Sequence, residues 1–77
     1  MTIEEAILLD TLHCRLNFLK EKNNLTTSEV AEKLQLPIKK YKSYEDGNQI
    51  PSIIELLFIA DFYQISIDYL VGREEAK

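Results

Sequence analysis

The chain has 77 residues, of which 45% are hydrophobic and 29% charged, a composition typical of one globular domain. No apolar run approaches the roughly 18 residues that a membrane-spanning helix needs, and no basic segment precedes an apolar one at the N-terminus. We therefore expect a single cytoplasmic domain over residues 1–77 that has no membrane contact. Its formal net charge of −4 disfavours indiscriminate nucleic-acid binding.

The sequence contains one cysteine, Cys14, and one histidine, His13. A single cysteine cannot form an internal disulfide, and its helical neighbours Ile7 and Phe18 favour a packed thiol over a redox or ligand role. His13 lacks the clustered ligands that a metal ion requires. Because no nucleophile–base pair or glycine-rich phosphate loop is present either, we expect no metal, no cofactor and no catalysis.

The first predicted helix runs from about Ile3 to Lys22. Thr2 and Glu5 form a capping box at its start, and Asn23-Asn24 tolerates a left-handed turn at its end. Leucines at helical spacing predict its buried stripe: Leu8, Leu12, Leu16 and Leu19.

The second predicted helix begins after Thr26, which forms a capping box with Glu29. It stops at Gln35-Leu36 because Pro37 forces the preceding residue into an extended conformation. Its predicted buried residues are Val30, Ala31 and Leu34.

The third predicted helix spans about Ile38 to Asp46, turns Tyr41 and Tyr44 inward, and ends at Gly47. The fourth, Ile53 to about Tyr63, starts with a capping box of Ser52 and Glu55, and the fifth, Ile67 to Val71, follows Ser66 and ends at Gly72. Helical spacing predicts four inward residues in the fourth helix: Ile53, Leu56, Leu57 and Ala60.

Helices two and three, joined by a turn of about three residues, form a predicted helix-turn-helix, in which the second helix enters the DNA major groove. Ala31 supplies the small side chain that two steeply crossing helices need. Lys39, Lys40 and Lys42 concentrate positive charge on helix three. A solvated helix face, with Lys42 paired to Asp46, is the alternative explanation for these lysines.

The chain resembles the Cro/C1-type (XRE-type) helix-turn-helix family, which includes the lambda repressor DNA-binding domain. The resemblance is carried by the following stretches in order: Arg15–Lys20, Leu25–Leu34, Tyr44–Gly47 with Pro51–Ser52, and Ser66–Gly72. It implies an all-α, five-helix, lambda repressor-like domain with an extended first helix: residues 1–14 extend helix one, 15–72 are the family core and 73–77 are a tail. It also implies binding to a double-stranded operator, usually as a dimer.

By this resemblance, Thr27 stands where the family most often has a glutamine that contacts phosphate, and the adjacent backbone amides suit an anion. Ile38, Lys39 and Ser43 match the positions that reach base edges. Lys20 and Glu45 are expected to pair and tie helix three to helix one. The full set of predicted DNA-binding residues is Thr26, Thr27, Ser28, Ile38, Lys39, Lys40, Lys42, Ser43, Asn48 and Gln49.

Two residues depart from the family pattern in the turn. Gln35 stands where glycine is usual, and a left-handed conformation there costs on the order of 1 kcal/mol. Pro37 replaces the usual serine or threonine cap, although proline is tolerated at the first helical position.

A second apolar row on helix one predicts a homodimer contact, because a chain this short has little structure with which to cover it. The alternative is that helix five folds over the row. The predicted interface residues are Ile7, Cys14 and Phe18, together with Ile65, Ile67 and Tyr69.

The sequence therefore predicts a DNA-binding transcriptional regulator, most simply a repressor. The alternative is a protein-interaction module on the same scaffold, such as an antitoxin or a repressor antagonist.

Overall fold

The computed structural model describes residues 2–73, which form five α-helices and no strand. The helices are α1 (Ile3–Lys22), α2 (Thr27–Lys33), α3 (Ile38–Glu45), α4 (Ile53–Tyr63) and α5 (Ile67–Leu70). The predicted all-α architecture with an extended first helix is confirmed. None of the described helices combines the length and apolar character needed to cross a membrane. Apart from Arg73, the predicted tail lies outside the described residues.

The starts of the helices follow the local sequence signals. Threonine or serine with a glutamate three residues later forms a complete capping box at α1, α2 and α4, and Ser66 accepts a hydrogen bond from the backbone of Tyr69 at α5. Pro37 precedes α3, which has no side-chain cap. The first turn of α3 is therefore held by its neighbours rather than by a cap.

Each of the five described helices is followed by one residue in the left-handed region: Asn24 (φ 55°), Gln35 (φ 58°), Gly47 (φ 76°), Gln64 (φ 56°) and Gly72 (φ 83°). The amide of the next residue bonds back to a carbonyl five positions earlier, as Leu36 does to Ala31 at 2.9 Å. This closure satisfies helix carbonyls that would otherwise lack partners. The left-handed turn at Gln64 was not predicted, since glutamine is not a usual signal for one.

The buried stripe of α1 consists of Leu9, Leu12, Leu16 and Leu19. The prediction of Leu8 in this stripe is wrong, because Leu8 is only half-buried whereas Leu9 is buried. The two adjacent leucines fit a period of 3.6 residues almost equally well, so spacing alone did not distinguish them.

The orientation predicted for α4 is also partly wrong. Leu56 and Ala60 are buried as expected, but they are joined by Ile59, while Ile53 and Leu57 face outward. α4 has apolar residues on nearly every side, so its sequence has no polar face from which the inward side could be identified.

One continuous core joins the described helices. α1 packs against α3 and α5, α2 packs against α3, and α4 packs against α5. Val30 and Ala31 of α2 are buried and Leu34 is half-buried. The core brings together Leu12, Leu16, Leu19, Val30, Ala31, Tyr41, Tyr44, Leu56, Ile59, Ala60 and Leu70.

Candidate nucleic-acid interface

α2, the turn over residues 34–37 and α3 form a helix-turn-helix whose two helices pack against each other. Gln35 adopts the left-handed conformation (φ 58°) at the position where the family pattern has glycine. Ala31 is almost completely buried, as the close crossing of the two helices requires. Glutamine therefore supplies the left-handed residue of this turn in place of glycine.

The inner side of α3 consists of Tyr41, Tyr44 and Glu45, all of which are buried. Burial, and next the nearby carboxylate of Glu45, raises the pKa of Tyr41 far above its ordinary value. The phenol is therefore neutral at physiological pH. These side chains fix the rotation of α3 about its axis.

Glu45 is the buried charge that joins α3 to α1 and α2. It is 2% exposed, and its Oε1 accepts hydrogen bonds from Lys20 Nζ at 3.1 Å and from the Thr27 hydroxyl at 2.7 Å. Asn17 also donates to the backbone carbonyl of Glu45 at 2.8 Å. The structure thus contains the Lys20–Glu45 pair that the resemblance implied, and adds Thr27 and Asn17 to it.

This network determines which group of Thr27 is available to a nucleic acid. Its hydroxyl hydrogen is donated to Glu45, so it points into the protein and not toward a ligand. The Thr27 backbone N–H belongs to the first turn of α2, where amides have no partner within the helix. The phosphate contact of Thr27 stays a prediction, and the amide is the group available for it.

Lys40 is held by α4. Its Nζ lies 2.9 Å from Glu55 Oε2, and the Tyr44 hydroxyl donates to Glu55 Oε1 at 2.6 Å. Burial alone would raise the pKa of Glu55, but hydrogen bonds from Tyr44, Lys40 and Ser52 outweigh it and lower the pKa to about 2. The Lys40 side chain is 47% exposed, yet its ammonium is paired with a largely buried carboxylate and is therefore less available to a ligand than that of Lys39.

Lys42 and Ser43 also have partners within the protein. Lys42 Nζ pairs with Asp46 Oδ1 at 3.0 Å, as the sequence spacing predicts, and both side chains are largely exposed. The Ser43 hydroxyl lies 2.6 Å from the carbonyl of Lys40 and 2.8 Å from Gln49 Oε1. Such exposed contacts are weak and can be exchanged for a ligand at small cost.

Ile38 and Lys39 are both exposed at the start of α3. Ile38 is 48% exposed, and among residues 2–73 Lys39 has no ion pair, in contrast to Lys40 and Lys42. Ile38, Lys39 and Lys42 line a shallow, open depression that continues to Asn48. The structure thus brings the predicted base-contacting residues onto one outward surface.

The other predicted contact residues flank this helix-turn-helix. Thr26 uses its hydroxyl and its backbone N–H in the capping box with Glu29. Ser28, Asn48 and Gln49 are exposed.

Of the predicted dimer residues, only those of α1 form an exposed row. Ile7, Phe18 and Cys14 are exposed, so α5 does not cover them and the expectation of a packed thiol is wrong within the single chain. Ile65 and Ile67 are half-buried against the core. Tyr69 is also half-buried, because Arg15 stacks on its ring at 4.3 Å and donates to its carbonyl.

Two further groupings were missed at the level of sequence. Ile53, Ile54, Leu57 and Phe58 form an exposed apolar surface on α4, which we call the α4 face. Asp10, His13 and Cys14 are brought together on α1, so the expectation that His13 lacks neighbouring ligand groups is wrong. Spacings of three and four residues on a helix could have revealed this second grouping.

The model of the helix-turn-helix domain family matches residues 14–75. The chain belongs to the helix-turn-helix family. The matched segment begins one residue before the predicted family core, and it includes α2, α3 and all of the lysines of α3. The predicted family resemblance is thereby confirmed.

This helix-turn-helix chain is similar to several named transcription regulators. It is 40% identical over 50 residues to the cryptic phage CTXphi transcriptional repressor RstR of Vibrio cholerae, covering 65% of this chain and 45% of the repressor. It is 35% identical over 63 residues to the HTH-type transcriptional regulator AnsR of Bacillus subtilis, covering 82% of this chain and 54% of the regulator. With ImmR of the same organism the identity is 34% over 61 residues, covering 79% of this chain and 48% of that regulator.

The chain spans about half the length of these curated relatives. No solved structure is significantly similar to it.

Proposed function

We propose that this helix-turn-helix chain binds double-stranded DNA in a sequence-specific manner and regulates transcription, most simply as a repressor. The observation that carries the proposal is the division of α3 into two sides. Tyr41, Tyr44 and Glu45 anchor one side in the core, while Ile38 and Lys39 stand on the other. Relatives named as a transcriptional repressor and as transcriptional regulators support the same function.

Lys39 is the principal base-reading residue in this proposal. A lysine can donate to guanine O6 and N7 in the major groove, and the apolar side chain of Ile38 can contact a thymine methyl group. Lys42 can leave its exposed pair with Asp46 and contact the DNA beside Lys39 and Ile38. Lys40 instead holds the start of α3 against α4 through Glu55.

Phosphate contacts come from the two flanks of α3. Backbone amides of Thr27 and Ser28 at the start of α2 lie on one flank, and the side chains of Asn48 and Gln49 lie on the other. The chain carries few unpaired cations on this surface and a net charge of −4. Binding should therefore depend strongly on the fit of α3 to a preferred sequence, because nonspecific affinity comes from phosphate neutralisation.

The regulator acts as a homodimer through the α4 face in our proposal. The four side chains of this face are between 51% and 64% exposed, and a contiguous apolar surface of this kind marks an interaction site. Glu55, on the same helix, is bonded to Lys40 of α3. Contact between two copies through α4 would consequently fix the distance between their two α3 helices. A dimer needs such a fixed distance to bind two half-sites about 34 Å apart.

The α1 row of Ile7, Cys14 and Phe18 stays a second candidate for this interface, and paired variants separate the two. Replacing Leu57 and Phe58 with glutamate should give a monomer by sedimentation equilibrium, with weak operator binding. The matched double variant Ile7→Glu and Phe18→Glu should remain a dimer. The opposite result would place the interface on α1.

Selection of bound duplexes from a random DNA library tests the main proposal. We expect an enriched sequence with two symmetric half-sites, recovered at low salt. Failure to enrich any sequence under those conditions would overturn the proposal. If the protein's function is unchanged when Lys39, Lys40 and Lys42 are all replaced by alanine, the protein-interaction alternative is favoured. In this proposal the chain acts by binding and not by catalysis, and it acts in the cytoplasm.

A further inference from the structure

Asp10, His13 and Cys14 form a compact cluster of three chemically different ligand groups on α1. Their potential ligand atoms all lie within 4.8 Å of one another. His13 Nε2 is 3.4 Å from Asp10 Oδ1 and 3.7 Å from Cys14 Sγ. The cluster lies outside the surface assigned to DNA.

The two separations from His13 Nε2 are close to the edges of a tetrahedral coordination shell. Zinc binds cysteine sulfur at about 2.3 Å, histidine nitrogen at about 2.0 Å and carboxylate oxygen at about 2.0–2.2 Å, so its ligand atoms lie roughly 3.3–3.6 Å apart at tetrahedral angles. The two measured separations from His13 Nε2, 3.4 Å and 3.7 Å, differ from this range by about a tenth of an ångström at most. The third pair of ligand atoms, on Asp10 and Cys14, lies within 4.8 Å, so rotation of these two exposed side chains would close the remaining edge around an ion.

We propose that Asp10, His13 and Cys14 bind a thiophilic divalent cation, with Zn²⁺ as the reference ion. Thiolate and imidazole ligands favour zinc and cobalt, whereas magnesium and calcium prefer oxygen ligands alone. Binding requires the thiolate, so the thiol proton of Cys14 passes to solvent as the sulfur–metal bond forms. Three protein ligands leave the fourth tetrahedral position to water.

The imidazole of this site is held in place by the turn that follows α3. A Cβ atom built on Gly47 would lie 3.2 Å from His13 Cδ2, which shows how closely the ring packs on the glycine backbone. The ring is also half-buried, unlike the side chains of Asp10 and Cys14. The histidine therefore loses little conformational freedom on binding an ion, and the two exposed ligands can adjust to it.

Cobalt is the most informative probe because the chain contains one cysteine and one histidine. A thiolate-to-cobalt charge-transfer band in the near ultraviolet can arise only from Cys14. With a phosphine reductant present, titration with Co²⁺ should give this band together with the intense visible bands of tetrahedral cobalt. Both should saturate at one ion per chain and disappear when Zn²⁺ is added.

Four variants make the test specific. Cys14→Ser should abolish the charge-transfer band, and Asp10→Asn and His13→Gln should each weaken cobalt binding by about tenfold or more. Glu21→Gln removes an exposed carboxylate elsewhere on α1 and should leave the titration unchanged. Circular dichroism would check that every variant remains helical.

Three results would overturn the proposal. The first is the absence of a charge-transfer band at saturating cobalt. The second is unchanged affinity in both Asp10→Asn and His13→Gln. The third is saturation at one ion per two chains, which would mean that cysteines from two molecules share the ion. None of these readouts depends on DNA binding, so the site and the proposed function can fail separately.

Discussion

Lys40 Nζ lies 2.9 Å from Glu55 Oε2, and this ion pair joins α3 to α4 at the edge of the reading surface. The same carboxylate accepts hydrogen bonds from the Tyr44 hydroxyl and from the backbone N–H of Ser52, and the Glu55 N–H donates to the Ser52 hydroxyl in return. Glu55 therefore links the recognition helix, the capping box of the following helix and the lysine cluster. Its protonation should weaken all three connections together.

The low pKa of Glu55 predicts a specific acid sensitivity. Its pKa is lowered from 4.5 to about 2 on folding, so its contribution is fully present above pH 4.5 and is lost as the pH falls toward 2. That contribution is on the order of 3 kcal/mol in the free energy of unfolding. Urea denaturation across this range should show a steep loss for the wild type and a shallower one for Glu55→Gln.

Glu32→Gln is the matched control, since Glu32 is an exposed carboxylate on α2. Its stability should follow the wild-type curve. Parallel curves for the wild type and Glu55→Gln would show that Glu55 does not cause the acid sensitivity.

Removal of Lys20 should leave the buried charge of Glu45 without its cation. We expect Lys20→Met to lower the free energy of unfolding by about 3–5 kcal/mol, because an uncompensated buried charge is costly. Adding Glu45→Met should recover much of this loss, whereas Lys42→Met, which breaks an exposed pair, should cost less than about 1 kcal/mol. Chemical denaturation of the four proteins measures these differences. A Lys20→Met variant as stable as the wild type would contradict the role assigned to Lys20.

Base preference should depend on Lys39 more than on any other lysine of α3. Lys39→Ala should reduce discrimination at one position of the selected half-site by about 1–3 kcal/mol, as expected for loss of a base contact. Lys22→Ala serves as the control, because Lys22 is an exposed lysine beside the Phe18 ring on α1. Binding to single-base variants of the site, measured at fixed salt, checks both. If Lys39→Ala discriminates between bases as well as the wild type does, Lys39 does not contact a base.

The turn between α2 and α3 should be stabilised by glycine. Gln35 has φ 58°, and this conformation costs a residue with a Cβ about 1–2 kcal/mol. Gln35→Gly should therefore be more stable than Gln35→Ala by about 1 kcal/mol, the reverse of the order inside a helix. Thermal denaturation of both variants tests this expectation. Higher stability of the alanine variant would show that the turn relaxes out of the left-handed region.

Much of the fold was predictable because its signals are local. Three capping boxes fix where helices start, and Pro37 separates α2 from α3, so the predicted helices agree with the observed ones to within a residue or two. The rotation of each helix was harder to predict. In α4, apolar side chains on nearly every side make several orientations equivalent until the rest of the core is present.

In the candidate site, too, local features were predictable and contacts between distant parts of the chain were not. Family resemblance identified α3 and the Lys20–Glu45 pair, but the partners of Lys40 and Thr27 depend on contacts between helices that are distant in sequence. Because of these contacts, the Lys40 ammonium and the Thr27 hydroxyl are bonded within the protein and are less available to a ligand than their place in the motif suggests. The Asp10, His13 and Cys14 cluster is different: its members lie within one helix turn, so their spacing indicated the cluster although His13 was expected to stand alone.

The attachments of α3 to α1 are concentrated at one end of the helix. Asn17 and Lys20 bond to Glu45, and His13 lies against Gly47, whereas the opposite end begins without a side-chain cap at Pro37. α3 is consequently bonded to α1 near its C-terminal end and to α4, through Lys40, in its first turn. Ile38 and Lys39 take part in neither set of bonds, so their side chains can adjust to a groove while the helix axis stays in place.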